Sequence, residues 1–260
     1  MLGWSINLFR VFGIQLAVHA SFLLLLAYWG YEGWQEGGVM GMAWSVGLIL
    51  LFFGCVILHE LGHSLTARRY GVNVPRILLL PIGGMAEFDR IPRKPAQELL
   101  ITIAGPAVNF LLVALLLPLA WSGLFGAEEV PAYSPAGLLG QLWYANLVMG
   151  VFNLAPVFPM DGGRILRALL ASRLPYLRAT WWAVMVGRVL AAGLILFALY
   201  RGNYMLAVLF TFIIAAGNAE YRVALRREQE EAYWRELARQ AAVVPPYGGE
   251  EPPVILHGPN

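Results

Sequence analysis

The chain has 260 residues, of which 59% are hydrophobic and 13% charged, with a formal net charge of +2. Its mean hydropathy of +0.63 is far from that of soluble proteins, so composition favours a helical protein that crosses the membrane several times. The basic residues flank apolar segments and form no aromatic-interleaved patch, which argues against nucleic-acid binding. A single cysteine, Cys55, excludes an intramolecular disulfide and a cysteine-rich metal site.

Six apolar segments are predicted to span the membrane as an all-α bundle. Residues 1–12 lead into the first segment, and the glycine-rich loop 30–38 separates it from the second. The predicted spans are residues 14–29, 42–70, 96–121, 136–155, 181–200 and 203–219. We expect residues 1–220 to form one membrane domain, with its main motifs at 50–172.

Three shorter stretches lie outside this pattern. Residues 76–89 carry two apolar arms around Pro81, Gly83 and Gly84, which predicts a short membrane-associated β-hairpin. An amphipathic helix is expected at 164–172. Residues 221–260 are predicted to be cytoplasmic, with a solvated helix at 222–239 and a disordered tail from 244.

The distribution of arginine predicts the orientation in the membrane. Arginines concentrate in the connections after the second and fourth segments and in the tail. By the positive-inside rule, both termini, the hairpin and the loop that carries Asp161 face the cytoplasm. We therefore predict a multi-pass protein of the plasma membrane, in which His63 lies about 7–8 Å inside the cytoplasmic boundary.

The second apolar segment ends in the motif His59-Glu60-x-x-His63. Positions i and i+4 share one helix face, so the two imidazoles can bind one metal ion, as in zinc peptidases. Glu60 is rotated by about 100° from His59, which lets it reach a water at the metal without being a ligand. The alternative is a polar helix end that faces a neighbouring helix.

A catalytic zinc needs three protein ligands and an open position. The chain has two aspartates, and Asp89 lies among basic residues at the interface. Asp161 faces the same membrane side as His63 and precedes two glycines, so it is the preferred third ligand, although it could instead cap the next helix. His19, at comparable depth, is the rival ligand.

Together these motifs resemble those of the site-2 protease family, the intramembrane zinc metalloproteases of peptidase family M50. The resemblance rests on three motifs: His59-Glu-Leu-Gly-His63, Gly105-Pro-x-x-Asn109 and Asn153-x-x-Pro-x-x-Pro-x-Asp-Gly162. It implies that His59, His63 and Asp161 bind one zinc ion and that Glu60 is the catalytic base. The PDZ insertion or CBS pair of some members is not expected here.

The resemblance also implies that Asn153 holds the backbone of a transmembrane substrate, and it likens Gly83 and Gly84 to the family's β-loop. The hairpin could pair with an unwound substrate or serve only as an interfacial anchor. Asn109 could contact substrate or join helices by hydrogen bonding. Expected partners are membrane lipid and protein substrates with transmembrane segments, and a regulatory partner or homo-oligomer is left open. The competing functions are an inactive substrate-binding scaffold and a transporter.

Overall fold

The computed structural model describes residues 4–89, 92–125 and 134–243. The predicted disordered tail and most of the loop after residue 125 therefore lie outside the described residues. Helices dominate, with a small sheet near the N-terminus. The elements are β1 (Ser5–Val11), β2 (Ile14–His19), α1 (Ser21–Arg69), β3 (Arg76–Leu80), β4 (Gly83–Glu87), α2 (Pro95–Phe125), α3 (Pro135–Asn153), α4 (Asp161–Ala171), α5 (Tyr176–Tyr200) and α6 (Tyr204–Val243).

Helix α1 consists of two arms that fold back on each other. Its backbone leaves the helical conformation at Gly37 and Gly38, and Gly38 has a φ of +60°, which favours glycine. A Cβ on Gly33 would lie 2.5 Å from the carbonyl oxygen of Gly41, so the arms approach closely. The loop predicted at residues 30–38 is therefore too long. The first arm remains helical to residue 36.

The first predicted span begins with a strand instead of a helix. Residues 14–19 form β2, which pairs antiparallel with β1 through a turn at Phe12 and Gly13, with φ values of 51° and 81°. The prediction of a helix from residue 14 is wrong because a short apolar run fits a buried strand as well as a helix. The helix begins only at Ser21.

The predicted hairpin at 76–89 is present as β3 and β4, and it belongs to a larger sheet. The strand order is β1-β2-β3-β4, with β2 and β3 parallel and the other pairs antiparallel. Arg76 donates to Glu87 across β3 and β4 at 2.5 Å, and this hydrogen bond raises the pKa of the Arg76 guanidinium. Because β4 comes last in the strand order, it forms one edge of the sheet.

Four helices in the described part of the chain are long and apolar enough to cross a membrane. They are α1, α2, α5 and α6. The protein is an integral membrane protein on this basis, while the count of six spans stays a prediction. Helix α2 packs against α1, α3 and α4 and so forms the centre of the bundle. Helix α6 runs without a break into the region where a solvated helix was predicted.

Candidate metal centre

His59, His63 and Asp161 converge at the point where α1 meets the start of α4. The Nε2 atoms of the two histidines lie 3.1 Å apart, and Asp161 Oδ2 is 3.3 Å from His59 Nε2 and 3.2 Å from His63 Nε2. Within the described ranges, these residues form the one cluster of histidine, cysteine and acidic side chains with a metal-binding arrangement. The three predicted ligands therefore meet, although they come from sequence positions about a hundred residues apart.

The other ring nitrogen of each histidine is held by α2. His63 Nδ1 donates to the backbone oxygen of Ile101 at 2.8 Å, because a carbonyl can only accept. His59 Nδ1 lies 2.5 Å from Asn109 Oδ1, and Asn109 uses its Nδ2 to donate to Asn146 Oδ1 at 3.0 Å. Asn109 Oδ1 is thus the acceptor from His59. Both Nε2 atoms are left bare in the neutral rings.

When both rings are neutral, two bare imidazole nitrogens and a carboxylate oxygen face one another. Asp161 Oδ2 is buried and accepts no hydrogen bond, so the three lone pairs repel unless a cation lies among them. The separations of 3.1, 3.2 and 3.3 Å match the ligand–ligand distance of about 3.3 Å around a tetrahedral zinc with bonds near 2.0 Å. The donor set therefore fits a zinc ion.

The absence of a side chain at Gly105 allows α2 to approach the histidines. A Cβ there would lie 2.2 Å from His63 Nε2 and 2.8 Å from His59 Nε2. Gly62 on α1 makes the reciprocal approach, since its Cβ would lie 2.7 Å from the backbone oxygen of Ala104. The motif Gly105-Pro-x-x-Asn109 thus combines one close backbone contact with one hydrogen bond to a histidine.

Two further glycines place Asp161. A Cβ on Gly162 would lie 2.1 Å from the backbone oxygen of Ala155, and one on Gly163 would lie 2.7 Å from the backbone nitrogen of Phe158. The first turn of α4 therefore packs directly on the preceding turn. The cap position is Met160, which makes no side-chain cap bond. Asp161 is the first helical residue, and its carboxylate points to the histidines rather than capping the helix.

Glu60 lies between the histidine pair and the edge strand β4. Its Oε2 accepts a hydrogen bond from the backbone nitrogen of Ala86 at 3.1 Å. A Cβ on Gly84 would lie 2.6 Å from Glu60 Cγ, so a glycine is needed for β4 to come this close. The predicted base and the predicted substrate strand are therefore direct neighbours.

Comparison with known proteins gives the family of the chain. The model of peptidase family M50 matches residues 47–126 and 126–194, more than half of the chain. The chain belongs to peptidase family M50. The matched region contains the three candidate ligands and Glu60.

Relatives of this M50 chain cover most of its length. A zinc metalloprotease from Methanocaldococcus jannaschii is 41% identical over 222 residues, which are 85% of this chain and 62% of that protein. A protein from Synechocystis is 33% identical over 254 residues, 90% of this chain and 64% of its own length. The chain thus spans just under two thirds of the length of these two relatives. The solved site-2 protease from M. jannaschii is 39% identical and has a TM-score of 0.59. The match covers 84% of this chain and 95% of that chain.

The remaining predicted residues of the M50 domain differ in their relation to the centre. Asn109 is 0% exposed and engages His59 and Asn146, so of its two predicted roles the geometry favours helix joining. Asn153 ends α3, is half-buried and makes no side-chain hydrogen bond within the described residues. Gly83 opens β4 with a φ of +139°. His19, the rival ligand, is bonded to Ser21 at 2.7 Å and lies outside the cluster.

Two groups that help to hold the candidate histidine ligands in place, Asn146 and the Ile101 carbonyl, were not predicted from the sequence. Asn146 is fully buried on α3 and holds the amide of Asn109, while its own Nδ2 donates to the Leu142 backbone oxygen at 2.9 Å. A polar side chain inside an apolar segment is the signal that could have identified it. The Ile101 carbonyl carries no such signal, since a backbone group is identical at every position.

An Asn109→Leu variant is expected to bind zinc about 10–100-fold more weakly, because it removes the acceptor that orients His59. The variant also leaves the buried Asn146 amide without one partner. Asn218→Leu on α6 is the matched control, since Asn218 bonds to Arg188 instead of a ligand. Zinc titration against a chromophoric chelator measures both affinities. Equal affinities in the two variants would contradict the role of Asn109.

Proposed function

We propose that this protein is an intramembrane zinc metalloprotease that hydrolyses peptide bonds in or near transmembrane segments of other membrane proteins. The observation that carries the proposal is the convergence of His59, His63 and Asp161 beside Glu60, where α1, a helix apolar enough to cross a membrane, meets the start of α4. The relatives named as zinc metalloprotease and site-2 protease support the same activity. Ionisable side chains inside a membrane are energetically costly and usually have a function there, and metal binding is the function proposed for these three.

The proposed topology has six spans with both termini in the cytoplasm. The two arms of α1 provide two spans, and α2, α3, α5 and α6 provide the others, with α3 being 19 residues long. Residues 1–220 then form the protease domain, and residues 221–260 a cytoplasmic extension. Arginines at the predicted cytoplasmic connections support this orientation, which places the metal centre near the cytoplasmic face of the plasma membrane.

His59, His63 and Asp161 would hold the zinc ion, which when bound polarises a carbonyl and favours ionisation of water. Glu60 takes the proton from the attacking water and delivers it to the leaving amine. The hydrogen bond from the Ala86 nitrogen to Oε2 holds its carboxylate in place. The bare Nε2 atoms and the carboxylate of Asp161 orient toward one point, so the histidines act as ligands rather than as acids.

The edge of β4 is the proposed binding site for the unwound substrate. Ala86 directs its N–H away from β3, toward Glu60, and in an antiparallel ladder Gly84 shares this outward direction. An added substrate strand would replace the helical hydrogen bonds that the substrate loses on unwinding. Gly83 and Gly84 keep this edge free of bulk, and Asn153 is proposed to bind the substrate backbone from the opposite side.

Reconstituted protein tests the proposal against its alternatives. A transmembrane substrate in the same proteoliposomes is expected to be cleaved, and a zinc chelator should stop the cleavage until zinc is returned. Binding of the substrate without cleavage would identify a scaffold instead. Ion or solute flux without cleavage would identify a transporter. Mass spectrometry of the fragments then locates the cleaved bond.

A further inference from the structure

A buried ion cluster lies in the middle of α4, apart from the metal ligands. Arg167 is 1% exposed and donates from Nε to Glu98 Oε1 at 2.7 Å and from Nη1 to Glu220 Oε1 at 2.8 Å. Glu98 is 2% exposed. Removing charges from water is expensive, so such a cluster calls for an explanation beyond stability alone. No step of the proposed hydrolysis uses these side chains.

The cluster fixes α4 relative to two membrane helices. Glu98 belongs to α2 and Glu220 to α6, so Arg167 connects α4 to both. Its guanidinium carbon also lies 5.1 Å from the centre of the Phe158 ring, in the turn that precedes Asp161. Asp161 lies six residues before Arg167, about 9 Å along the helix axis. The helix is therefore held at its start by Gly162 and Gly163 and in its middle by Arg167.

Helix α2 thereby provides a support for each of the three ligands. The carbonyl of Ile101 holds His63, and the amide of Asn109 holds His59. Glu98, one turn before Ile101, holds the helix that begins with Asp161. The two histidines share α1, but Asp161 arrives on a separate short helix of 11 residues. Its distance from the histidines depends on how α4 is attached to α2.

We propose that Arg167 is a positioning residue that fixes Asp161 against His59 and His63 through its ion pairs with Glu98 and Glu220. The proposal rests on the proposed function, because it takes these three residues as the zinc ligands. A looser α4 would leave Asp161 able to move away from the histidines. Zinc affinity and the geometry of the bound metal should therefore depend on Arg167, which touches neither the metal nor the substrate.

The test compares Arg167→Met with Arg188→Met in the detergent-solubilised protein. Arg188 is a matched control because it is also an arginine of the bundle, but its hydrogen bonds go to Asn218 between α5 and α6. Zinc affinity is measured by chelator competition, and the visible spectrum of the Co²⁺-loaded protein reports ligand geometry. Size-exclusion profiles and thermal unfolding of the metal-free proteins report folding separately.

Arg167→Met is expected to weaken zinc binding about tenfold and to alter the Co²⁺ spectrum, as supports behind metal ligands typically do. Arg188→Met should bind zinc within about twofold of wild type, and Arg167→Lys should recover part of the loss by keeping one charged donor. A folded Arg167→Met protein with wild-type affinity and spectrum overturns the proposal. An equal loss in Arg188→Met also overturns it, since the effect would then be general loosening.

A double variant covers the case in which Arg167→Met does not fold. Glu98→Leu combined with Arg167→Met removes the unpaired buried carboxylate, and apolar replacements of buried ion pairs are often well tolerated. The same weaker zinc binding and altered spectrum are expected, and wild-type values overturn the proposal. If His59→Ala binds zinc as tightly as the unchanged protein, the ligand assignment itself fails, and the role of Arg167 fails with it.

Discussion

Replacing Glu60 with glutamine is expected to leave zinc bound and to slow cleavage by about 10²–10⁴-fold, the usual contribution of a general base. Glutamine keeps the size of the side chain, and its amide oxygen can still accept the hydrogen bond from the Ala86 nitrogen. It cannot take a proton from water at neutral pH. The loss should therefore appear in kcat, with little change in the affinity for substrate.

Glu87→Gln is the matched control for this change. Glu87 lies on β4 beside the same edge, but its carboxylate pairs with Arg76 instead of facing the histidines. It should cleave at close to the wild-type rate with wild-type zinc content. Cleavage by zinc-loaded Glu60→Gln at the wild-type rate would contradict the assignment of Glu60 as base. Loss of zinc from Glu60→Gln would instead make Glu60 part of the binding site.

The helical part of the fold could be predicted because long apolar runs allow few alternatives in a membrane protein. The second to fifth apolar segments became helices with bounds that differ from the prediction by a few residues, and the sixth continues to Val243 through the predicted solvated helix. The start of the chain could not be predicted in the same way. Residues 14–19 pair with β1 on one side and with β3 on the other. A pairing partner about sixty residues away leaves no mark on a local apolar pattern.

The candidate site could be predicted where side-chain chemistry and local spacing carry the information. His59 and His63 are related by helix geometry alone, and Asp161 is distinguished because aspartate is so rare in this chain. The groups that hold these residues in place could not be predicted in this way. Asn146, the Ile101 carbonyl and the Glu98–Arg167 pair act through hydrogen bonds between helices. Their roles depend on which faces meet, which only the assembled bundle determines.

Replacing Asp161 with alanine is expected to weaken zinc binding by more than about 100-fold, because losing a ligand costs more than losing a support behind one. The variant leaves two neutral imidazoles, without the negative charge that the carboxylate supplies. Helix α4 should stay in place, since Gly162, Gly163 and Arg167 hold it independently of the carboxylate. The defect should therefore be one of metal binding, with the fold retained.

The two aspartates of the chain allow a matched comparison. Asp89 accepts a hydrogen bond from the Asn73 backbone nitrogen at 3.2 Å and lies outside the ligand cluster. Asp89→Ala should keep one zinc per chain by metal analysis and keep its activity, while Asp161→Ala should lose both. Unchanged zinc content in Asp161→Ala would mean that the carboxylate near the histidines is not a ligand. The close approach of Asp161 to both Nε2 atoms would then need another cause, such as a shared proton.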